Sequence, residues 1–181
     1  NVNSSILDNS GKQLRPILAL LVARACSPAG ITTKTVNYAA AAELLHNATL
    51  LHDDVADGSE MRRGVPTVMS LMGPSVSVLV GDYWLVKAVG RILETSDGNE
   101  EVIRLFSKTL SDLSEGEMLQ LQKAQKGDTD ENDYLRIIYG KTASLFEVTA
   151  VSAAISVNAS VEYVAAVRDY AVALGLAFQI K

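Results

Sequence analysis

Apolar residues recur at three- and four-residue steps through nearly the whole chain, whereas strict alternation of apolar and polar residues is scarce. That period lays an apolar stripe along one side of a helix, and a chain so patterned buries its stripes by packing helix on helix. Ala, Leu, Val, Glu and Lys are plentiful and the 4 prolines are thinly spread. The pattern predicts an all-α fold. With 181 residues and no internal repeat, low-complexity tract or linker, residues 1–181 are expected to form one single-domain antiparallel helical bundle. Both ends read as cut, because Asn1 opens inside a polar segment and Lys181 closes an apolar one.

Turn residues divide the chain. A helix from Pro16 to Cys26 meets Ser27, Pro28 and Gly30, and Thr32 or Thr33 then caps a long helix to about Ala56. Gly58 to Gly64 reads as a charged loop, followed by helical segments Val65 to Leu71 and Ser75 to Thr95. Glu100 to Lys126 is helical, Gly127 to Asp130 a turn, and Glu131 to Val157 one continuing helix; Val161 to Lys181 is the last.

A formal charge of −5 argues against nucleic-acid binding, which needs a broad basic face. Any anionic ligand must instead meet a local basic cluster. The single cysteine, Cys26, excludes an intrachain disulfide, reads as a plain buried thiol and suits a cytoplasmic protein. No run of 18 apolar residues is present, so no transmembrane segment is expected, and the N-terminus lacks the order of a signal peptide.

Against this apolar background, Asp53, Asp54 and Asp57 stand out at the end of the long helix, directly after the apolar stretch Ala39 to Leu51. Residues four apart share a helix face with Cβ atoms about 5–6 Å apart, so Asp53 and Asp57 can present carboxylates side by side. Such a pair suits Mg²⁺, which takes one or two carboxylates with waters and phosphate oxygens, better than Zn²⁺. Acidic residues near a helix C-terminus oppose the helix dipole, which favours a functional reason for them over a merely solvated helix end.

Arg62 and Arg63 follow on the loop leaving that helix end, where guanidinium forks can grip phosphate oxygens or simply neutralise the aspartates. Gly11, Lys12, Arg15 and Pro16 form a second basic group at a helix start, a place that favours anions. His46, two helical turns before Asp53, falls on nearly the same stripe and is either a phosphate donor or a satisfied core histidine. Lys141 and Thr142 sit in an apolar helix, so Lys141 needs an anionic partner, either Glu147, an aspartate elsewhere, or a bound diphosphate. Gln179 reads as a similar buried polar group. Glu115, Glu117 and Gln120 read as structural or supporting, Asp82 as a cap or internal pair, and His52 carries no assigned role.

Taken in order, Gly11-Lys12-x-x-Arg15-Pro16, His46, Asp53-Asp54-x-x-Asp57, Arg62-Arg63-Gly64, Lys141-Thr142 and Phe178-Gln179 resemble the trans-isoprenyl diphosphate synthase family. The resemblance covers the whole chain and is strongest to the medium- and long-chain, octaprenyl-type polyprenyl synthases. It implies a bundle around a central cavity and a homodimer. It also implies a Mg²⁺-dependent condensation of isopentenyl diphosphate with an allylic diphosphate such as farnesyl diphosphate. Lys12, Arg15, His46 and Arg63 match the isopentenyl diphosphate site, and Arg62, Lys141 and Thr142 the allylic site. Asp53 and Asp57, with Asp54 between them, match the first metal motif, and Gln179 a polar residue facing the reacting carbons. Asp53, Asp57, Lys141 and Gln179 would then serve catalysis. The family continues into a second aspartate-rich motif that this sequence does not contain, so half of the metal cage is missing and the chain as it stands is expected to be inactive.

Ala48, five residues before Asp53, lies about 7 Å deeper along the helix. Short-chain relatives resemble one another in carrying aromatic rings there, whereas Ala48 and Thr49 are small. Room for a long tail is the expectation, with Ala48 serving close helix packing as the competing one. A long product is expected to leave at a membrane surface. The competing functional readings are a shorter-chain synthase (geranylgeranyl or farnesyl), a non-catalytic subunit of a heteromeric synthase, a class I terpene cyclase, and a helical scaffold with an incidental aspartate cluster.

Overall fold

The computed structural model describes residues 13–180. Lys12 and Gly11 of the first basic group lie outside the described residues, as does Lys181. Helix α1 runs Leu14–Cys26 and α2 runs Thr33–Ala56. Thr32 starts α2 with a reciprocal cap: its hydroxyl accepts from the Thr35 amide, and the Thr35 hydroxyl accepts from the Thr32 amide. A two-stranded antiparallel hairpin follows, β1 Met61–Arg62 and β2 Val65–Pro66, with Arg62 opposite Val65. Next come α3 Val68–Met72, α4 Pro74–Thr95 with a proline in its first turn, and α5 Glu100–Lys126. Asn99 caps α5 by accepting from the Glu101 and Val102 amides, and Gly127 ends it at φ 66°. Then α6 Glu131–Ile138 leads into a π-helical turn, Tyr139–Ala143, and on into α7 Ser144–Ser156; α8 Val161–Gln179 is last.

All-α is the architecture observed. Helix α7 is apolar all round and lies at the centre, with Leu145, Phe146, Val148, Ala150, Val151, Ala153 and Ala154 all buried. One side of it joins Leu45 of α2, Ile92 of α4 and Phe106 of α5 in an apolar cluster. The other joins Leu18 and Val22 of α1, Ala39 of α2 and Ala171 of α8. Fully burying a side chain such as Leu45 contributes about 1.5–3 kcal/mol. Ala39 of α2 shares that second cluster with Ala150, Ala153 and Ala154 of α7, small side chains that suit close packing of the helix that carries His46, Asp53 and Asp57.

Two elements differ from the sequence expectation. The segment expected to be helical from Val65 is a strand at Val65–Pro66 and turns helical only at Val68. The cause is the turn Arg63-Gly64, whose φ values of 51° and 78° are those a tight two-residue hairpin requires. The helix expected to continue from Glu131 to Val157 does run unbroken to Ser156, but a π turn at Tyr139–Ala143 shifts its register around Lys141.

Candidate active site

A cavity of about 1020 Å³ opens between α1, α2, the ends of α5 and α6, the π turn and the end of α8. Helix α2 contributes one stripe to its wall, Glu43, His46, Thr49, Leu50 and Asp53, at the three- and four-residue spacing of a single face. Arg15, Arg63, Lys141, Thr142 and Gln179 also line it. Seven of the sequence-derived candidates, Arg15, His46, Asp53, Arg63, Lys141, Thr142 and Gln179, thus converge from distant parts of the chain, and Thr49 joins them.

One group of charges is cationic. Arg15 is half-buried with its guanidinium carbon 5.2 Å from the centre of the Phe146 ring, a cation–π distance. Burial pulls Arg15 below the ordinary guanidinium range and Glu43 pulls it back up. Burial, then Arg15, Arg63 and Arg62, depress His46 to about 3, so its imidazole is neutral near pH 7 and has one N–H to donate. Glu43 was missed from the sequence, where it looks like any helix surface glutamate. It lines the cavity, burial raises it above the carboxylate range while Arg15 lowers it, and its Oε2 is buried with no hydrogen-bond partner. The Nε of Arg15 is buried and unpartnered in the same way.

The second group surrounds Asp53. Burial lifts this half-buried carboxylate to about 6, Lys141 opposes the rise, and Glu117 and Asp57 add to it. Asp57 caps α2 and is exposed. The Lys141 ammonium lies 2.6 Å from Glu117 and donates to Gln120 Oε1 at 2.6 Å. Its partners are therefore on α5, and neither Glu147 nor an aspartate. Glu147 is taken by Arg168 at 2.6 Å and by the Tyr139 hydroxyl, which donates at 2.7 Å. Thr142 Oγ1 donates to Gln179 Oε1 at 3.1 Å, and Gln179 is exposed rather than buried because α8 ends there.

Other candidates stand apart from the cavity. Asp54 is buried and accepts from Arg62 Nε and Nη2 at 2.9 and 2.7 Å, so two of the Arg62 donors are committed to it. Ala48 is 1% exposed in the helix-packing interior, and Thr49, whose hydroxyl donates to the His46 carbonyl at 2.7 Å, is the one of the two that lines the wall. His52 and Asp82 pair at 3.1 Å at the surface between α2 and α4. Cys26 is partly buried, and burial raises its thiol, in keeping with an unreactive side chain.

Asp53 and Asp57 fit a hard cation of the magnesium kind: both offer oxygen only, they lie one turn apart, and a nearby cation would relieve the burial that lifts Asp53. Among the described residues no third His, Cys, Asp or Glu completes a metal-binding group.

The family model described as Polyprenyl synthetase matches residues 1–181. The chain is 41% identical over 175 residues to an octaprenyl diphosphate synthase of Escherichia coli, covering 97% of this chain and 53% of that protein. Its structure is similar to that of a decaprenyl diphosphate synthase from Rhodobacter capsulatus, with TM-score 0.92, 42% identity and coverage of 98% of this chain and 54% of the other. A geranylgeranyl pyrophosphate synthetase from Pyrococcus horikoshii is also similar, with TM-score 0.91 at 30% identity, covering 98% of this chain and 55% of that one. The chain spans about half the length of the curated relatives it matches. On the match along its full length and these identities, the chain belongs to the polyprenyl synthetase family.

Proposed function

We propose that the full-length protein is a trans-prenyltransferase that condenses isopentenyl diphosphate with an allylic diphosphate, farnesyl diphosphate among them, to give a long-chain polyprenyl diphosphate. The observation that carries this reading is the division of one cavity's charges into two groups. Arg15, Arg63 and neutral His46 form one, and Asp53, Lys141 and Thr142 the other. Two diphosphates have to be held close together without sharing a binding site, and the division supports that reading.

Arg15 and Arg63, with Lys12, hold isopentenyl diphosphate, and His46 donates its N–H to a phosphate oxygen. Lys141, Thr142 and the remaining donor capacity of Arg62 hold the allylic diphosphate. Asp53 and Asp57 would bind Mg²⁺, which when present offsets the negative charge on the departing diphosphate. The allylic C–O bond breaks, the isopentenyl double bond attacks the allylic carbon, and a proton leaves from the neighbouring carbon to a diphosphate oxygen. Leu14, Leu50, Ile137, Ile138, Phe146 and Phe178 on the wall keep water from the allylic cation. Asp54 we assign to holding Arg62 and the hairpin rather than to the metal.

Small Thr49 on the wall supports a product longer than four isoprene units, as do the higher identities to the octaprenyl and decaprenyl relatives than to the geranylgeranyl one. Leu79, Tyr83, Val86 and Leu93 form an exposed apolar stripe along α4, which supports a homodimer through that helix. No helix among the described residues is long and apolar enough to cross a membrane, and we place the protein in the cytoplasm, with product leaving at a membrane surface. The test is to incubate the full-length protein with radiolabelled isopentenyl diphosphate, farnesyl diphosphate and Mg²⁺ and to size the extracted products. Products longer than four units support the reading. A geranylgeranyl product moves it to the shorter-chain members, and no product with any allylic primer ends it.

A further inference from the structure

The side chain of Lys141 reaches the cavity wall from the middle of the π turn, and two features of the neighbouring helix α5 fix where it goes. The first is a backbone contact between glycines. A Cβ on Gly140 would stand 2.5 Å from the Asp112 carbonyl oxygen, and one on Gly116 would stand 3.1 Å from both Gly140 Cα and the Lys141 amide nitrogen. Any side chain at either position would push α5 and the π turn apart. The second is that each glycine directly precedes one member of an ion pair: Gly116 precedes Glu117, and Gly140 precedes Lys141. The close approach therefore brings these two side chains together, 2.6 Å between Lys141 Nζ and Glu117 Oε2, with Gln120 one turn along α5 accepting from the same ammonium at 2.6 Å.

Glu117 is placed for this partner. Both of its carboxylate oxygens are buried, neither accepts a well-directed hydrogen bond, and the ammonium is the cation beside them. A buried carboxylate held so near a proposed anion site weakens attraction for that anion unless it returns something in geometry. The π turn is itself anchored from outside: Lys108 of α5 donates to the Tyr139 hydroxyl at 2.9 Å, and Tyr139 donates to buried Glu147 of α7. π-Helical turns inside α-helices recur where a side chain must be set out of the regular register.

We propose that Glu117 and Gln120 are positioning residues for the allylic diphosphate: they hold the Lys141 ammonium at a fixed point on the cavity wall facing Asp53, before any ligand arrives. The proposal rests on the prenyltransfer reading, since it takes the ligand of Lys141 to be the allylic diphosphate. Glu117 holds Lys141 through charge, and Gln120 supplies the acceptor that sets the direction of its N–H bonds.

The experiment is titration calorimetry of the full-length protein with inorganic diphosphate plus Mg²⁺, and separately with isopentenyl diphosphate, together with steady-state kinetics in both substrates. The variants are Lys141→Ala, Glu117→Gln, Glu117→Asp and Gln120→Leu. We expect Glu117→Gln to weaken inorganic diphosphate roughly tenfold and to raise KM for the allylic substrate by a similar factor. Isopentenyl diphosphate binding should stay within about twofold, and Glu117→Asp should recover part of the loss. Gln120→Leu keeps the ion pair and should give a loss of about threefold. Unchanged or tighter diphosphate binding in Glu117→Gln overturns the proposal, because Glu117 would then be only a counter-charge. Equal losses for both ligands also overturn it, as they mark a general structural role. If Lys141→Ala itself leaves diphosphate binding unchanged, the assignment of Lys141 to the allylic site fails as well, and the proposal falls with the reading beneath it.

Discussion

Asp54 Oδ1 accepts two hydrogen bonds from one guanidinium, Arg62 Nε at 2.9 Å and Nη2 at 2.7 Å, and so ties the last turn of α2 to the first strand of the hairpin. The carboxylate is buried and the arginine side chain is 38% exposed, so the pair is only partly shielded from water. Removing one partner leaves the other uncompensated, which for fully buried pairs costs about 3–5 kcal/mol. Here the exposure of Arg62 lowers the expected cost of Asp54→Asn to about 2 kcal/mol. Urea unfolding of the two single variants and the double variant Asp54→Asn, Arg62→Gln gives the coupling. A coupling near zero means that the hairpin is held by other contacts.

Asp53 predicts a pH dependence of the metal-free protein. Its folded value is raised to about 6 from the usual 3.8, chiefly by burial. The folded state therefore binds the proton more tightly than the unfolded one, so this contribution is fully present below about pH 4 and is lost as pH rises through 6. Asp53→Asn should be more stable than wild type at pH 7.5 by about 1 kcal/mol, or roughly 2–4 °C in Tm, with the gap closing by pH 4. Thermal melts in chelator across that range check it, and added Mg²⁺ should narrow the gap.

His46 carries the opposite sign. Burial and the surrounding arginines depress it to about 3, so the unfolded state takes up its proton first, near 6.5. Stability from this group is complete above about pH 6.5 and declines as pH falls towards 3. His46→Gln should flatten the dependence of the urea midpoint between pH 4 and 7 without lowering the midpoint at pH 7 by more than about 1 kcal/mol.

Arg63 sits at φ 51°, a left-handed conformation that costs most side chains about 1–2 kcal/mol. Asparagine adopts that conformation readily and suits this turn. Arg63→Asn should raise stability by about 0.5–1 kcal/mol while raising KM for isopentenyl diphosphate about tenfold in the full-length protein. Thermal melts and kinetics on the same preparation test both halves. A gain in stability without a loss in KM would remove Arg63 from the site.

The helices were legible wherever a cap and a period agreed: Thr32 and Asn99 start α2 and α5 where the sequence suggests, and Gly127 ends α5. The hairpin was hidden because Arg63-Gly64 is an uncommon pair for a turn with two positive φ values, and Pro66 suits the first turn of a helix as well as a strand edge. Nothing in Tyr139–Ala143 marks a π turn except Gly140, and that glycine acquires meaning only from Gly116 across the contact. His46, Thr49 and Asp53 could be placed together because they share one helix. Glu117 and Gln120 could not be placed beside Lys141, since only the packing of α5 on the π turn joins residues 21 apart or more. Glu43 gave no signal, because its burial depends on α1 lying over α2.

The proposed function requires two diphosphates held by two separate groups of residues, and the most direct measurement is the pair of KM values in full-length Arg15→Ala and Lys141→Ala. A split is expected: Arg15→Ala raises KM for isopentenyl diphosphate at least about tenfold with the allylic KM little changed, and Lys141→Ala does the reverse. If both variants raise the same KM, or neither alters catalysis, the cavity does not separate its ligands in this way and the two-site function is contradicted.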